Sequence, residues 1–127
     1  MLIVVDPHSG VPVYRQLMDQ IKFHIASGVL VPGDELPSTR ALSAELGVNP
    51  MTVSKAYNLL ERDGVLERRP GKPLVVKALA TEEIELEKLD QLRSHLSSAV
   101  RAAHQLNFKP DEAVKVFRRM LEDEKDD

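Results

Sequence analysis

The feature that most constrains the fold of this chain is a change in the spacing of its apolar residues at Gly64. Before Gly64, apolar residues recur every three or four positions in three successive stretches, as they do on the buried faces of amphipathic helices. After Gly64 the spacing becomes two, and a Pro-Gly-Lys-Pro segment at 70–73 separates two β-prone runs, 65–69 and 74–76. This order predicts an α+β head, residues 1–77, made of three helices and a β-hairpin.

Residues that begin and end helices divide the head into its elements. The first helix is predicted to begin with Pro12 as its first residue and to end at Gly28. Ser38 is a good N-cap for the second helix, which ends at Gly47, and Asn49 can cap the third. The short turn between Gly47 and Asn49 places the second and third helices side by side, as in a helix-turn-helix.

The N-terminal segment Leu2–Val5 is β-prone and stops before a turn at 6–10, so we expect a short strand there. The segment is too short for a secretory signal and lacks the basic residues and cleavage site of one. No stretch of about 18 apolar residues occurs in the chain, so we expect no membrane partner. Cysteine is absent, which excludes disulfides and fits a cytoplasmic protein.

The tail, residues 78–127, carries a different apolar pattern. A helix is predicted from Thr81, and its apolar residues recur at alternating spacings of three and four, as in the seam of a coiled coil. The seam consists of Leu89, Leu92, Leu96, Ala99, Ala103 and Leu106. After a break at 108–110, a last short helix contains Phe117. We expect an all-α two-helix tail in which the seam and Phe117 join two copies as a homodimer; packing of the seam on its own head or on its own last helix is the alternative.

The third predicted helix has two faces of different character. Its buried face consists of Val53, Ala56, Tyr57 and Leu60. The opposite face, at the start of the helix, presents the leading turn, which consists of Asn49, Pro50, Met51, Thr52, Ser54 and Lys55. These residues offer hydroxyl groups, an apolar thioether and a cation, and the major groove of DNA accepts one α-helix while the preceding helix lies across the backbone. The pattern predicts a winged helix-turn-helix that reads double-stranded DNA with this turn.

Two further groups of residues are suited to binding phosphate. The first group begins the second helix and consists of Ser38, Thr39 and Arg40. The second lies in the hairpin loop and consists of Arg69, Gly71 and Lys72. A helix N-terminus with a cation attracts an anion, and a glycine lets the loop backbone approach a groove closely. We predict that both groups contact the DNA backbone.

The net charge of −3 does not by itself indicate a nucleic-acid partner. The charge is unevenly distributed, because residues 1–77 carry +1 and residues 78–127 carry −4. An acidic tail stays away from DNA while the head presents a local basic face. The charge therefore permits DNA binding without demonstrating it.

These motifs resemble the head of a known family. The run LPSTRALSAELGVNPMTVSKAYNLLERDGVLERRPGKP at 36–73 is similar to the DNA-binding head of the GntR family of bacterial regulators, and the similarity reaches back to Pro12. The runs PVYRQLMDQI at 12–21 and NPMTVSKAY, with a tail of only about fifty residues, resemble the YtrA-like subfamily.

The resemblance implies a dimeric transcription regulator, often a repressor, with a winged head and a two-helix dimerisation tail. The family's DNA contacts fall on Ser38, Arg40, Asn49, Met51, Thr52, Ser54, Lys55, Gly71 and Lys72. Much of the family has an arginine where this chain has Ser54, so that contact must shift, with Lys55 as the candidate, and the operator should differ. The tail is too short for the effector-binding fold of the larger subfamilies, and a small-molecule effector at the tail stays unidentified.

Enzymatic and metal-binding functions find no support in the sequence. It contains no glycine-rich phosphate loop, nucleophile elbow or zinc motif. The histidines are spread along the chain without i, i+4 pairs, at His8, His24, His95 and His104. We expect no catalytic residue, no metal and no cofactor.

We therefore expect a cytoplasmic, sequence-specific transcription regulator that binds an inverted-repeat operator as a homodimer, with half-sites about one helical turn apart or a little more. Base discrimination is assigned to Asn49, Met51, Thr52 and Lys55. Two other classes stay open. An architectural DNA-binding module would show little sequence preference, and a protein-binding winged helix would show no salt-dependent binding to DNA.

Overall fold

The computed structural model describes residues 1–125, so the last two residues of the predicted tail, 126 and 127, lie outside the described residues. The elements follow in the order α1 (Val13–Ala26), α2 (Thr39–Leu46), α3 (Pro50–Arg62), β1 (Leu66–Glu67), β2 (Val75–Val76), α4 (Thr81–Gln105) and α5 (Pro110–Lys125). This confirms the predicted fold class, an α+β winged helix-turn-helix followed by a helical C-terminal part. The chain divides into two compact units between Gln91 and Leu92, inside α4. The predicted domain boundary after residue 77 stays a prediction.

The core of the head forms where the apolar faces of α1 and α3 meet the two strands. Leu17 and Ile21 of α1 and Val53 and Leu60 of α3 have no solvent exposure. Leu66 of β1 is 1% exposed and packs into the same cluster. The helical spacing of these residues puts them on one face of each helix, and burying that face is the main source of stability for such short helices.

The predicted strand at Leu2–Val5 is wrong, because residues 1–12 contain no strand. The segment is held by side chains of α1 instead of by a neighbouring strand. The Val4 N–H donates to Gln20 Oε1 at 2.9 Å, and Gln20 Nε2 donates to the Val4 carbonyl at 2.7 Å. The Asp6 N–H and carbonyl make the same pair of bonds with Gln16, at 2.9 and 2.8 Å.

This arrangement works because the repeats of helix and extended chain match. Four residues of helix rise about 6.0 Å and two residues of extended chain about 6.6 Å. Side chains one turn apart on α1 therefore meet every second residue of the N-terminal segment. The series continues at His24, whose Nε2 donates to the Leu2 carbonyl at 2.7 Å, while Ile3, between the bonded residues, is buried in the core.

The turn between α2 and α3 is the predicted one. Gly47 adopts the left-handed conformation that ends α2, with φ of 67°. The Val48 N–H donates to the Ser43 carbonyl at 3.1 Å, and Ser43 Oγ donates to the Val48 carbonyl at 2.8 Å. Ser43 is only 7% exposed, so this reciprocal pair satisfies a buried hydroxyl while it fixes the angle between the two helices.

The β-hairpin at 65–76, called the wing here, has shorter strands than predicted, and a third segment pairs with it. Only two residues on each side pair, with Leu66 opposite Val76 and Glu67 opposite Val75. The segment 33–36 bonds to the other side of β2. Glu35 forms a bridge with Val75, and the Leu36 N–H donates to the Leu74 carbonyl at 2.8 Å.

The tail forms two helices with the predicted break between them. Asn107 has φ of 61° at the break, a left-handed conformation that asparagine tolerates better than most residues. Within Thr81–Gln105 no residue is buried. Among residues 1–125, no helix combines the length and the apolar character that crossing a bilayer requires.

Candidate nucleic-acid interface

The leading turn of α3 is exposed, as predicted. Met51 is 78% exposed, whereas Val53 is fully buried and Tyr57 only 3% exposed. Asn49 caps the helix, because its Oδ1 accepts from the Met51 N–H at 2.8 Å. The remaining predicted contacts lie exposed or half-buried at the surface, at Pro50, Thr52, Ser54 and Lys55. The turn is therefore accessible to a nucleic acid in this chain.

The start of α2 is tied to α3 by a bond that the sequence does not reveal. The Tyr57 hydroxyl donates to the Pro37 carbonyl at 2.8 Å. Burial raises the pKa of this phenol, and the nearby carboxylate of Glu45 raises it further. Tyr57 therefore stays a neutral hydrogen-bond donor. The sequence placed Tyr57 correctly in the core, but nothing in it indicates that the hydroxyl sets the position of the residues just before α2.

Residues Ser38–Arg40 begin α2 as predicted. Ser38 Oγ accepts from the Ala41 N–H at 3.0 Å and so acts as the N-cap. Thr39 is half-buried and Arg40 is exposed. Within residues 1–125, Arg40 forms no ion pair. A cation without a carboxylate partner beside a helix N-terminus is electrostatically suited to a phosphate.

The structure separates the cations of the wing into two kinds. Arg69 Nη2 lies 3.7 Å from Glu67 Oε2, and Arg68 Nε lies 3.2 Å from Glu61 Oε2. Lys72, at the tip, forms no ion pair with any described residue. The tip is a tight turn in which the Lys72 N–H donates to the Arg69 carbonyl at 3.1 Å and Gly71 has φ of 69°. Lys72 and Gly71 are thus free to meet a ligand, whereas Arg69 must share its charge with Glu67.

Lys55 has a partner that the sequence does not suggest. Its Nζ lies 4.0 Å from the centroid of the Tyr14 ring, so the ammonium group sits over the ring face. Tyr14 is in the first turn of α1, three residues before the buried Leu17. The cation–ring contact links the start of α1 to the candidate DNA-contacting turn.

A second surface lies within α4 and α5. It is an apolar groove of about 560 Å³ between the two helices. The predicted dimerisation residues that line it are Leu96, Ala99, Ala103, Leu106 and Phe117. Leu106 is 68% exposed, and Leu89 and Leu92, which do not line the groove, are each 49% exposed. Three of the four leucines of the seam are thus exposed in the single chain, and Leu96 is half-buried.

Comparison with known proteins agrees with this geometry. Residues 13–76 match the profile of the bacterial regulatory proteins of the gntR family. The HTH-type transcriptional repressor YtrA of Bacillus subtilis is 36% identical over 103 residues, which cover 81% of this chain and 79% of the repressor.

Solved structures give the same result. The GntR-family transcription factor YtrA from Sulfolobus acidocaldarius superimposes with a TM-score of 0.58 at 37% identity, over 95% of this chain and 97% of that one. The DNA-binding domain of AraR in complex with operator ORX1 superimposes with a TM-score of 0.52 at 27% identity, over 60% of this chain and 94% of the domain. The chain belongs to the GntR family of bacterial transcription regulators.

Proposed function

We propose that this protein is a transcriptional repressor of the bacterial cytoplasm that binds an inverted-repeat operator as a homodimer. The observation that carries the proposal is the exposed turn at the start of α3, held beside the N-terminus of α2 by the Tyr57–Pro37 bond. The similar B. subtilis protein is a repressor, and the similar AraR domain was solved on its operator. The relatives are transcription regulators, so we propose no catalytic residue and no cofactor.

In each half-site, the leading turn of α3 enters the major groove. Met51 and Thr52 are the residues proposed to meet base edges, where a thioether suits a thymine methyl group and a hydroxyl can donate or accept. Arg40, at the start of α2, and Lys72, at the tip of the wing, bind phosphates because neither has a carboxylate partner among residues 1–125. The family resemblance implies an arginine at the position of Ser54 in many members, so we propose an operator different from theirs.

The homodimer forms through the tail. Apolar side chains that neither helix buries line the groove, and exposed apolar patches of this kind mark interaction sites. We propose that a second copy of the chain fills the groove, because the heptad spacing of the seam suits a helix that pairs with another helix. Joining two heads makes the second half-site contact intramolecular and so raises the affinity for a paired site. A small-molecule effector in the groove is the competing occupant.

The test uses the full-length chain and a pool of duplexes of randomised sequence. We expect selection to enrich one inverted repeat, and gel shifts on that repeat to show a logarithm of affinity that falls linearly with the logarithm of salt concentration. Binding to all duplexes alike would identify an architectural protein. The absence of any salt-dependent binding would identify a protein-binding winged helix and overturn the proposal.

Within that assay, Arg40→Ala is expected to weaken binding to all duplexes by a similar factor and to lower the salt slope by about one for each half-site. Thr52→Ala should instead change the preference at one base pair, with an effect of about 1–3 kcal/mol on discrimination. Unchanged operator affinity in Arg40→Ala would contradict the placement of α2 on the DNA backbone.

A further inference from the structure

The geometry points to Tyr14 as a positioning residue that fixes Lys55 as a phosphate contact and withdraws it from reading bases. This inference rests on the proposed DNA-binding function. It also revises the sequence-based expectation that Lys55 takes on the role that an arginine plays in many relatives at the position of Ser54.

The first argument is the position of the Lys55 ammonium group over the Tyr14 ring. It lies 4.0 Å from the Tyr14 ring centroid, within the distance at which the negative face of an aromatic ring attracts a cation. Tyr14 belongs to α1, whereas Lys55 belongs to α3. The Lys55 side chain therefore reaches sideways to a neighbouring helix instead of forward with Met51 from the leading turn.

The second argument is that the Tyr14 ring is held in a fixed position. Tyr14 is half-buried and packs against the hydrophobic core. Its helix is anchored to α3 through Leu17 and Ile21, both without solvent exposure. The ring therefore has little freedom to move when DNA binds, and a lysine resting on it loses less conformational entropy on binding than a free lysine.

The third argument is that Lys55 still has N–H donors available for a phosphate. An ammonium group has three N–H donors, and a ring face occupies only one side of it. Lys55 is exposed, and among residues 1–125 it has no carboxylate partner. A compact cation held at the side of a groove-binding helix meets the DNA backbone, because bases lie in front of such a helix and phosphates lie beside it.

A double-mutant cycle on the full-length protein tests the inference. The probes are the duplex selected by the unmodified protein from the randomised pool and a set of its single-base variants, measured at several salt concentrations. We expect Lys55→Ala to weaken binding to every duplex by one common factor and to lower the salt slope by about 0.9 for each half-site of the proposed dimer. Tyr14→Leu should weaken binding by about two- to fivefold for each half-site, and the double variant should bind as Lys55→Ala does.

Two further variants separate positioning from folding. Tyr14→Phe keeps the ring face and should bind as the unmodified protein does. Arg62→Ala removes an exposed cation at the other end of the same helix and should leave the salt slope unchanged. Thermal melting of each variant shows whether its head is folded.

The outcomes are distinct. A change in base preference at one position in Lys55→Ala overturns the inference, because it shows that the lysine reads a base. The inference is also overturned if the loss of affinity in the double variant equals the product of the losses in Tyr14→Leu and Lys55→Ala. Such a product shows that the two side chains act independently. If the unmodified protein selects no duplex at all, it is the proposed function that fails.

Discussion

The head and the tail use apolar residues in opposite ways. In the head, residues 1–77, the apolar faces of α1 and α3 that meet the core are buried, and even the N-terminal segment finds matching bonds on Gln16 and Gln20. In α4 and α5 many apolar side chains remain exposed, among them Val100 at 51% and Met120 at 57%. The head thus builds a core within one chain, whereas the tail leaves exposed the apolar side chains that a second copy is proposed to cover.

The largest expected effect tests the completeness of the head. Leu60→Ala removes a fully buried side chain of α3 and should lower the free energy of unfolding by about 2–5 kcal/mol, since the site cannot collapse fully around the cavity. Urea denaturation measures the change. Leu106→Ala, in the tail, is the matched control, and its effect should shrink as the protein concentration falls below the dissociation range of the proposed dimer, because dimerisation then stabilises neither protein. A destabilisation by Leu106→Ala that equals that of Leu60→Ala at every concentration would erase the contrast between the two regions.

The next effect tests what completes the tail. Phe117→Glu places a charge in the apolar groove and should convert the proposed dimer into a monomer at micromolar concentrations, because an unpaired charge would be costly in an apolar interface. Sedimentation velocity measures the oligomeric state. Arg118→Glu changes a neighbouring residue of α5 that does not line the groove, and it should leave the dimer intact. An unmodified protein that sediments as a monomer would favour a small molecule as the occupant of the groove.

A smaller effect tests the link between the core and the DNA-facing surface. Tyr57→Phe removes the bond to the Pro37 carbonyl and should lower the free energy of unfolding by about 1–3 kcal/mol, because a partly buried acceptor loses its donor. Operator binding should weaken as well, through misplacement of Ser38–Arg40. A variant with full stability and full affinity would show that the bond is dispensable.

The same tyrosine gives a prediction for pH. Its pKa is raised in the folded state, so the folded protein holds the phenol proton more tightly than the unfolded chain does. The stabilisation is complete below the ordinary tyrosine value of 10.0 and is lost as the pH rises above it, because the unfolded state then ionises first. The measurement is denaturation between pH 9 and pH 11, roughly one unit on each side of that value. Over this range the free energy of unfolding should fall more steeply with pH in the unmodified protein than in Tyr57→Phe.

The smallest effect tests the N-terminal segment. Gln20→Leu removes two bonds to Val4 and should cost about 1 kcal/mol at most, because the bonds are exposed and water replaces them. Hydrogen exchange at the Val4 amide should accelerate in this variant. Asp19→Asn, the preceding residue on the solvent side of α1, should leave the exchange rate unchanged.

The sequence predicted well where structure depends on neighbours in the chain. The caps at Ser38 and Asn49 and the left-handed glycine at 47 depend only on local backbone geometry, and all three are observed. The strand at Leu2–Val5 failed for the opposite reason. β-propensity registers an extended chain but does not identify its partner, and here the partner is a row of side chains one helical turn apart on α1.

The sequence alone determined the order of the elements, the inward faces of the helices and the residues exposed at the start of α3, because periodicity and caps are properties of short stretches of chain. Only the tertiary structure showed that Tyr57 bonds to Pro37 and that Lys55 rests on Tyr14. In each case the two partners are far apart in sequence, and no local pattern carries information about which distant residue will meet a given side chain. Such contacts exist only after the core has brought the helices together.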